Sequence, residues 1–220
     1  MKNLLFSILF SLAVSVPVLA HEGHHDEAKE ALGSKGETVS NKAPAMQELR
    51  MLLEHLKQPE YIHVLINPLP LYGMMIGTFL LLGGLLLKRG DVQIAALILI
   101  AGTGAGTWIV VEYGQKGYDR VHAMSNEDAG PWLEVHMNRA EKAQYLFYGT
   151  ALLALAGLVA IRKERPSARI LIWITMLLSG TCIVAGGWIS HAGGQVRHSE
   201  FRQGPPPEGS LPEHHHDHSD

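Results

Sequence analysis

Four long apolar stretches are the feature that most constrains how this chain can fold. They cover residues 62–87, 92–111, 143–161 and 170–189, and each is long enough to cross a hydrocarbon core of about 30 Å as an α-helix. Because a segment in lipid must satisfy its own backbone hydrogen bonds, single apolar spans of this length are helical. The sequence therefore predicts an all-α membrane protein, a four-transmembrane-helix bundle formed by residues 61–201.

Composition excludes several functional classes. Charged residues make up 18% of the chain, against about a quarter in an average soluble domain. The net charge is −3, so the basic signature of nucleic-acid binding is absent. Cys182 is the only cysteine, which excludes an intrachain disulfide and a Cys-x-x-Cys-His haem attachment. No catalytic motif is present, so electron transfer is favoured over substrate turnover.

Residues 1–20 have the pattern of a cleaved signal peptide. Lys2 is followed by an apolar stretch and by the small-residue pattern Val18-Leu19-Ala20, which predicts cleavage after Ala20. The alternative is an uncleaved membrane anchor. Pro17 and the short apolar stretch favour cleavage.

Two polar histidine-rich segments flank the bundle. Residues 21–45 and 202–220 are predicted to be disordered, because they have too few apolar residues to bury a core. Imidazoles beside carboxylates can bind Cu²⁺ or Zn²⁺ loosely, and the alternative is a solvated tail without a selected metal. The candidate metal ligands in these segments are His21, His24, His25, His214, His215, His216 and His218.

An amphipathic helix is predicted in residues 46–60. Apolar side chains recur at helical spacing on one face, which indicates a helix that lies on the outer membrane surface or packs over the loops. We expect Pro59 to end this helix. The apolar face consists of Met46, Leu49, Leu52, Leu53 and Leu56.

Three further features predict details of the spans. Asn67 and Pro68 are a candidate helix cap and first helical position, so the residues before them are expected to form a separate turn. Gly102, Gly104 and Gly106 are expected to share a face that permits close helix packing. The third helix is expected to begin near Pro131, outside the bilayer.

The loop charges predict the orientation of the bundle. The short loops after the first and third spans are basic, which places them in the cytoplasm. The loop at residues 112–142 contains more acidic than basic residues and faces outward. Together with a cleaved signal, this predicts a bacterial inner (cytoplasmic) membrane protein with both mature termini in the periplasm. The basic loop residues are Lys88, Arg89, Arg162, Lys163, Arg165 and Arg169.

The histidines outside the tails gather at the predicted outer side. His63 precedes the first span, His136 precedes the third, and His191 and His198 end the fourth on either side of Gly193-Gly194. Neutral imidazole is a metal ligand, and these helix ends can converge in a bundle. The alternative is that each histidine merely solvates a helix end. The glycine pair either breaks the last helix or lets a flat ligand approach its backbone.

Haem b is the cofactor that this arrangement favours. It needs one or two axial imidazoles and an apolar slot between helices, whereas structural zinc needs four ligands. Copper bound by two or three imidazoles is an alternative. The alternative functions are a periplasmic-facing protein that handles Cu or Zn or serves as an accessory membrane protein, and a structural membrane subunit with no cofactor. Because one helix cannot supply both axial ligands, His63 and His198 are the first choice and His136 and His191 the next.

The chain resembles an uncharacterised family of bacterial four-helix membrane domains over residues 61–201. The similar segments are HVLINPLPLYG from His63, HMNRAEK from His136 and GGQVRHSEF from Gly193. The resemblance implies the same fold and haem binding, with His63, His136 and His198 as ligands. Independently of the resemblance, the haem interpretation predicts electron transfer at the outer face within a respiratory or redox membrane complex, besides contact with the lipid bilayer.

Overall fold

The computed structural model describes residues 42–204, which are largely helical and contain no β-strand. The helices are α1 (Lys42–His55), α2 (Pro59–Ile66), α3 (Pro68–Leu86), α4 (Gly90–Met124), α5 (Gly130–Arg162) and α6 (Ala168–Arg197), with 3-10 turns at Glu127–Ala129 and Ser199–Phe201. The all-α prediction is confirmed. The predicted signal peptide, residues 21–41 and the tail beyond Gly204 lie outside the described residues.

Within residues 42–204, four segments are long and apolar enough to cross a membrane, as predicted. They are Pro59–Leu86, which joins α2 to α3, and the three helices Gly90–Met124, Gly130–Arg162 and Ala168–Arg197. The chain is therefore a membrane protein. At 1.5 Å per residue, α4 and α5 are each about 50 Å long, so they extend well beyond a hydrocarbon core of about 30 Å.

The four long helices form a closed bundle in which each of α3 to α6 packs on the next and α6 packs on α3. Met74, Leu97 and Phe147 lie in its buried core. Large apolar side chains also cover the outside, where Phe79 and Leu152 are exposed. An apolar exterior of this extent is stable only against lipid or another apolar surface.

A second, smaller core lies where α4 and α5 extend beyond the apolar segments. Arg202 closes it by donating from Nε to the Gln195 carbonyl (2.7 Å) and from Nη2 to the Val196 carbonyl (2.9 Å). These bonds satisfy carbonyls that the end of α6 leaves without helical partners. The buried members are Ala129, Trp132, Leu133 and Val196, with Tyr118 and Val121 packed against them.

The break between α2 and α3 lies at the predicted position. Pro68 is the first residue of α3, and its missing N–H interrupts the hydrogen-bond ladder. Asn67 is the N-cap residue of α3, as predicted, but it keeps helical dihedral angles and its side chain makes no capping hydrogen bond. Asn67 lines a cavity described below.

The helix predicted at residues 46–60 exists, but both of its ends differ from the prediction. α1 begins at Lys42 and ends at His55, and Pro59 begins α2 instead of ending α1. Proline suits the first turn of a helix because the N–H that it lacks has no helical partner there. The apolar side chains of α1 that the structure describes are exposed.

Gly193-Gly194 does not break the last helix, since α6 continues through the pair to Arg197. His198 is the residue that ends α6, with extended dihedral angles. The alternative that the pair breaks the helix is therefore wrong, and approach of a flat ligand to its backbone stays a prediction.

Gly104 is the glycine of α4 that permits close packing. A Cβ at Gly104 would lie 2.6 Å from the Phe147 carbonyl oxygen and 2.9 Å from the Ala151 Cβ. The prediction that Gly102 and Gly106 share this face is wrong, because a Cβ at either would meet nothing within 4 Å among the described residues. Helical residues two apart point about 200° apart, so alternate glycines cannot line one face.

We expect Gly104→Ala to lower the free energy of unfolding by about 1–3 kcal/mol, because backbone and a buried Cβ leave no room for the added methyl. Gly102→Ala is the matched control and should change it by less than about 0.5 kcal/mol. Thermal unfolding of the two purified variants in the same detergent compares them. Equal stability of both would contradict this account of the α4–α5 contact.

Candidate functional site

Two buried or half-buried histidines from different helices meet inside the bundle. His63 lies in α2 and His136 in α5, and their ring centroids are 6.3 Å apart with an angle of 80° between the planes. His136 is only 7% exposed. The pair that was predicted first, His63 with His198, is not the pair that the structure brings together.

Each ring is held by a backbone carbonyl of a neighbouring helix. His63 Nδ1 lies 2.9 Å from the Val110 oxygen on α4, and His136 Nδ1 lies 3.1 Å from the Ile189 oxygen on α6. Since a carbonyl only accepts, Nδ1 must carry the proton in both rings, and the neutral form keeps its lone pair on Nε2. Neither Nε2 has a hydrogen-bond partner within residues 42–204. This is the arrangement in which proteins hold metal-binding imidazoles.

A glycine gives each ring room to reach its carbonyl. A Cβ at Gly114 would lie 3.0 Å from His63 Nδ1 and Cε1, and a Cβ at Gly193 would lie 3.2 Å from the same atoms of His136. Each glycine follows the accepting residue by four positions, so the two are neighbours on one helix face. A side chain at either position would push the imidazole away from the helix.

The two halves of the bundle therefore build the site in the same way. In both, a histidine in the first turns of one membrane-spanning segment contacts a carbonyl and a glycine on the next membrane-spanning segment, α4 for His63 and α6 for His136. Gly114, Val110 and Ile189 were missed as site residues. The two glycines, Gly114 and Gly193, are the signal in the sequence that could have indicated these contacts.

A cavity of about 50 Å³ lies beside the pair and is bounded by all four long helices. Its size admits a few water molecules at most. Besides the histidines, its polar lining groups are Asn67, Thr107, Gln144 and Ser190, and Met137 contributes a thioether. Gln144 is oriented by accepting from the Tyr148 hydroxyl (2.8 Å) and donating to the Glu141 carbonyl (2.9 Å).

The donor set suits a metal that takes two protein ligands. No group of three or more His, Cys, Asp or Glu side chains that could hold a metal occurs in residues 42–204, so a four-ligand zinc site is not formed there. A porphyrin supplies four nitrogens and leaves two axial positions, and Cu(I) accepts few imidazole or thioether ligands. The ring centroids of His63 and His136 are 6.3 Å apart, so these two residues would hold such a metal.

His198 and His191 lie away from this pair. His198 is exposed, packs on Phe201 and donates from Nδ1 to a Glu200 carboxylate oxygen at 3.2 Å. The backbone N–H of Glu200, and then the His198 ring, keep the pKa of that carboxyl below its usual range. His191 is exposed, and neither histidine lines the cavity. His191 is two residues beyond the Ile189 carbonyl, so its side chain points to another face of α6.

The remaining histidines have other surroundings. His55 stacks on Tyr61 with ring centroids 5.3 Å apart, and His122 stacks on Tyr118 at 6.1 Å. The candidate metal ligands of the two tails, His21, His24, His25, His214, His215, His216 and His218, lie outside the described residues, so metal binding by the tails stays a prediction.

A cation–π contact between Arg139 and Trp188 joins α5 to α6 next to His136. Arg139 lies 4.1 Å above the Trp188 ring and donates from Nη1 to the Trp188 carbonyl at 3.1 Å. Arg139 and His136 therefore donate hydrogen bonds to two adjacent carbonyls of α6, those of Trp188 and Ile189.

No protein-family model, curated protein or solved structure matches the chain, so its function must be inferred from these contacts.

Proposed function

We propose that the protein is an integral membrane electron-transfer subunit that binds one b-type haem between His63 and His136. The observation that carries the proposal is the pair itself: two imidazoles from different helices, 6.3 Å apart, each with Nδ1 held by a carbonyl. Iron in haem would supply reversible one-electron chemistry. Membership of the resembled four-helix family, and assembly with a respiratory or redox complex, belong to the same proposal.

The residues around the pair have defined tasks in this proposal. Val110 and Ile189 orient the rings through their carbonyls, which fixes the tautomer and raises the basicity of Nε2. Gly114 and Gly193 let the rings lie against the backbone. The apolar remainder of the lining excludes bulk water, which is a means by which a protein sets the potential of a buried redox centre.

A haem demands more space than the cavity offers. The 50 Å³ beside the rings holds a few water molecules, so a porphyrin would bind only with the lining side chains moved apart. A single Cu(I) ion requires no such widening, and Met137 supplies a soft thioether beside the imidazoles. Copper handling at the outer face of the membrane is therefore the second candidate function.

The absorption spectrum and metal content of the protein, purified in detergent from cells supplied with haem and copper, test the proposal. We expect a low-spin haem spectrum with sharp reduced bands and one iron per chain. One copper ion per chain without haem would support the second candidate. A colourless, metal-free protein would contradict both and would leave a structural subunit as the remaining reading.

The basic loops support an orientation in which the histidine pair lies at the periplasmic end. Lys88-Arg89 and residues 162–169 cluster at the opposite end of the bundle, and short basic loops are retained in the cytoplasm. We expect a reporter that works only in the periplasm to be active when it is fused after Asp220. A reporter that works only in the cytoplasm should be active when it is inserted after Glu164. The reverse pattern would overturn the orientation without affecting the site.

A further inference from the structure

The turn between α5 and α6 is a dense cluster of positive charge. Arg162, Lys163, Arg165 and Arg169 are all exposed, and Glu164 is the only acidic residue in residues 162–169. We call this set of four cations the α5–α6 basic turn. It lies at the end of the bundle opposite the His63–His136 pair, so the proposed cofactor site does not use it.

None of the four cations has an acidic partner among residues 42–204. Ion pairs within this range neutralise cations elsewhere: Arg89 pairs with Asp91 at 2.6 Å, Lys116 with Glu112 at 3.0 Å and Arg120 with Glu60 at 2.9 Å. The basic turn therefore keeps its charge, whereas the neighbouring loop after α3 is partly neutralised by Asp91. Like charges this close repel each other, so an anion that bound among them would relieve that repulsion.

The backbone of the turn is held in one conformation. Glu164 has a φ of 50°, the left-handed region that commonly ends a helix, and Arg165 N–H donates to the Ala160 carbonyl at 2.9 Å. The loop after α3 closes in the same way, with Lys88 at φ 53° and Arg89 N–H bonded to the Gly84 carbonyl. A hydrogen-bonded helix end of this type presents the cations without the ordering cost of a long flexible loop.

Lipid-facing apolar surface adjoins the basic turn. Ile170 is 63% exposed, Trp173 45% and Leu177 66%, and all three follow Arg169 on α6. Arg169 and Trp173 are four residues apart and so share one helix face. Tryptophan is enriched at the level of lipid headgroups, so Trp173 indicates that the four cations lie at or just outside that level.

We propose that the α5–α6 basic turn binds the headgroup of an anionic phospholipid. The four cations contact the phosphate and any further negative charge of the headgroup, and the acyl chains lie along Ile170, Trp173 and Leu177. A soluble phosphate would contact only the four cations and not the apolar side chains, so a phospholipid fits this surface better than a soluble phosphate does. The inference does not depend on the cofactor or on the direction in which the chain is inserted.

Native mass spectrometry of the full chain in a neutral detergent, titrated with phosphatidylglycerol or phosphatidylcholine, tests this site. We expect phosphatidylglycerol to bind about tenfold more tightly, and high salt to remove that preference, since each cation near an anionic headgroup contributes to binding. Equal binding of the two lipids would overturn the proposal. Inorganic phosphate should not displace the lipid, and displacement at equal concentration would identify a soluble-anion site instead.

A matched pair of variants locates the binding. The test variant carries glutamine in place of all four cations of the α5–α6 basic turn, and its affinity for phosphatidylglycerol should fall about tenfold. The control variant carries glutamine in place of four exposed cations elsewhere, and its affinity for phosphatidylglycerol should equal that of the wild type. Circular dichroism confirms that both variants fold. Equal losses in the two would mean that net charge, and not the turn, attracts the lipid. The control positions are Arg50, Lys57, Lys116 and Lys142.

Discussion

Replacing His136 with alanine is expected to abolish the low-spin haem spectrum of the proposed site and to lower the affinity for haem by more than about 100-fold. In the proposed site His63 and His136 would hold the haem iron, so the loss of the His136 ring would leave one protein ligand. His63→Ala should have the same effect, because its ring lies 6.3 Å from that of His136, centroid to centroid, and comes from a different helix. Haem per chain and the reduced absorption bands of each purified variant are the measurements.

The other histidines of the bundle provide controls for this experiment. His198→Ala and His191→Ala should keep the wild-type haem content and band positions, because both rings are exposed and neither lines the cavity. His122→Ala, a ring stacked on Tyr118, should also leave them unchanged. A native spectrum in His136→Ala together with its loss in His198→Ala would restore His198 as the ligand and would refute the pair proposed above.

Alanine at Gly114 or Gly193 is expected to weaken cofactor binding about 10–100-fold, although neither residue can bind a metal through a side chain. The added methyl would lie 3.0 Å from His63 or 3.2 Å from His136, so the ring must leave its carbonyl or the helices must separate. Overpacking of this kind also costs about 1–3 kcal/mol of stability. Titration of the purified apoprotein with haem, followed by its absorption bands, measures the affinity.

Gly106 and Gly187 are the matched controls, since a Cβ at either meets nothing within 4 Å in the described part of the chain. Alanine at these positions should leave both the affinity and the band positions unchanged. A merely structural role of Gly114 and Gly193 would lower stability and leave the spectrum of the bound haem as it is. Shifted bands are therefore the result that distinguishes a positioning role, and unshifted bands would contradict it.

The spans were predictable because they depend on one quantity, the apolar content of a stretch, which the sequence states directly. Apolar content does not predict which apolar side chains are buried, since core and lipid-facing side chains are equally apolar. Met74 and Phe147 are buried, for example, whereas Phe79 and Leu152 are exposed. For that reason the sequence indicates that the helices cross a membrane but not which face of each turns inward.

The ligand pair depends on that rotation. His63 and His198 both stand near helix ends, and the spacing of residues along the chain cannot decide which ring turns toward a neighbour. Contact with the Val110 carbonyl selects the rotation of α2, and contact with the Ile189 carbonyl selects that of α5. Backbone acceptors carry no residue signature. The glycines four positions further along, Gly114 and Gly193, are the only trace that these contacts leave in the sequence.

The helix ends were predictable only where proline occurs. Pro68 is the first residue of α3 as expected, because it lacks the N–H that a helix interior needs. Pro59 has the same role in α2, although its position after α1 was equally compatible with ending that helix. Gly193-Gly194 shows the weaker effect of glycine, since packing keeps α6 helical through both residues despite a cost of about 1 kcal/mol each.

The central claim is that His63 and His136 together bind one metal centre, and near-infrared magnetic circular dichroism of the oxidised, purified protein tests it most directly. This spectrum distinguishes the axial ligands of low-spin ferric haem. The account predicts ligation by two imidazoles in the wild-type protein, with haem bound at one per chain, and loss of that signature in His63→Ala and in His136→Ala. Ligation by one imidazole and a thioether or water, or two imidazoles that persist in both variants, would contradict it.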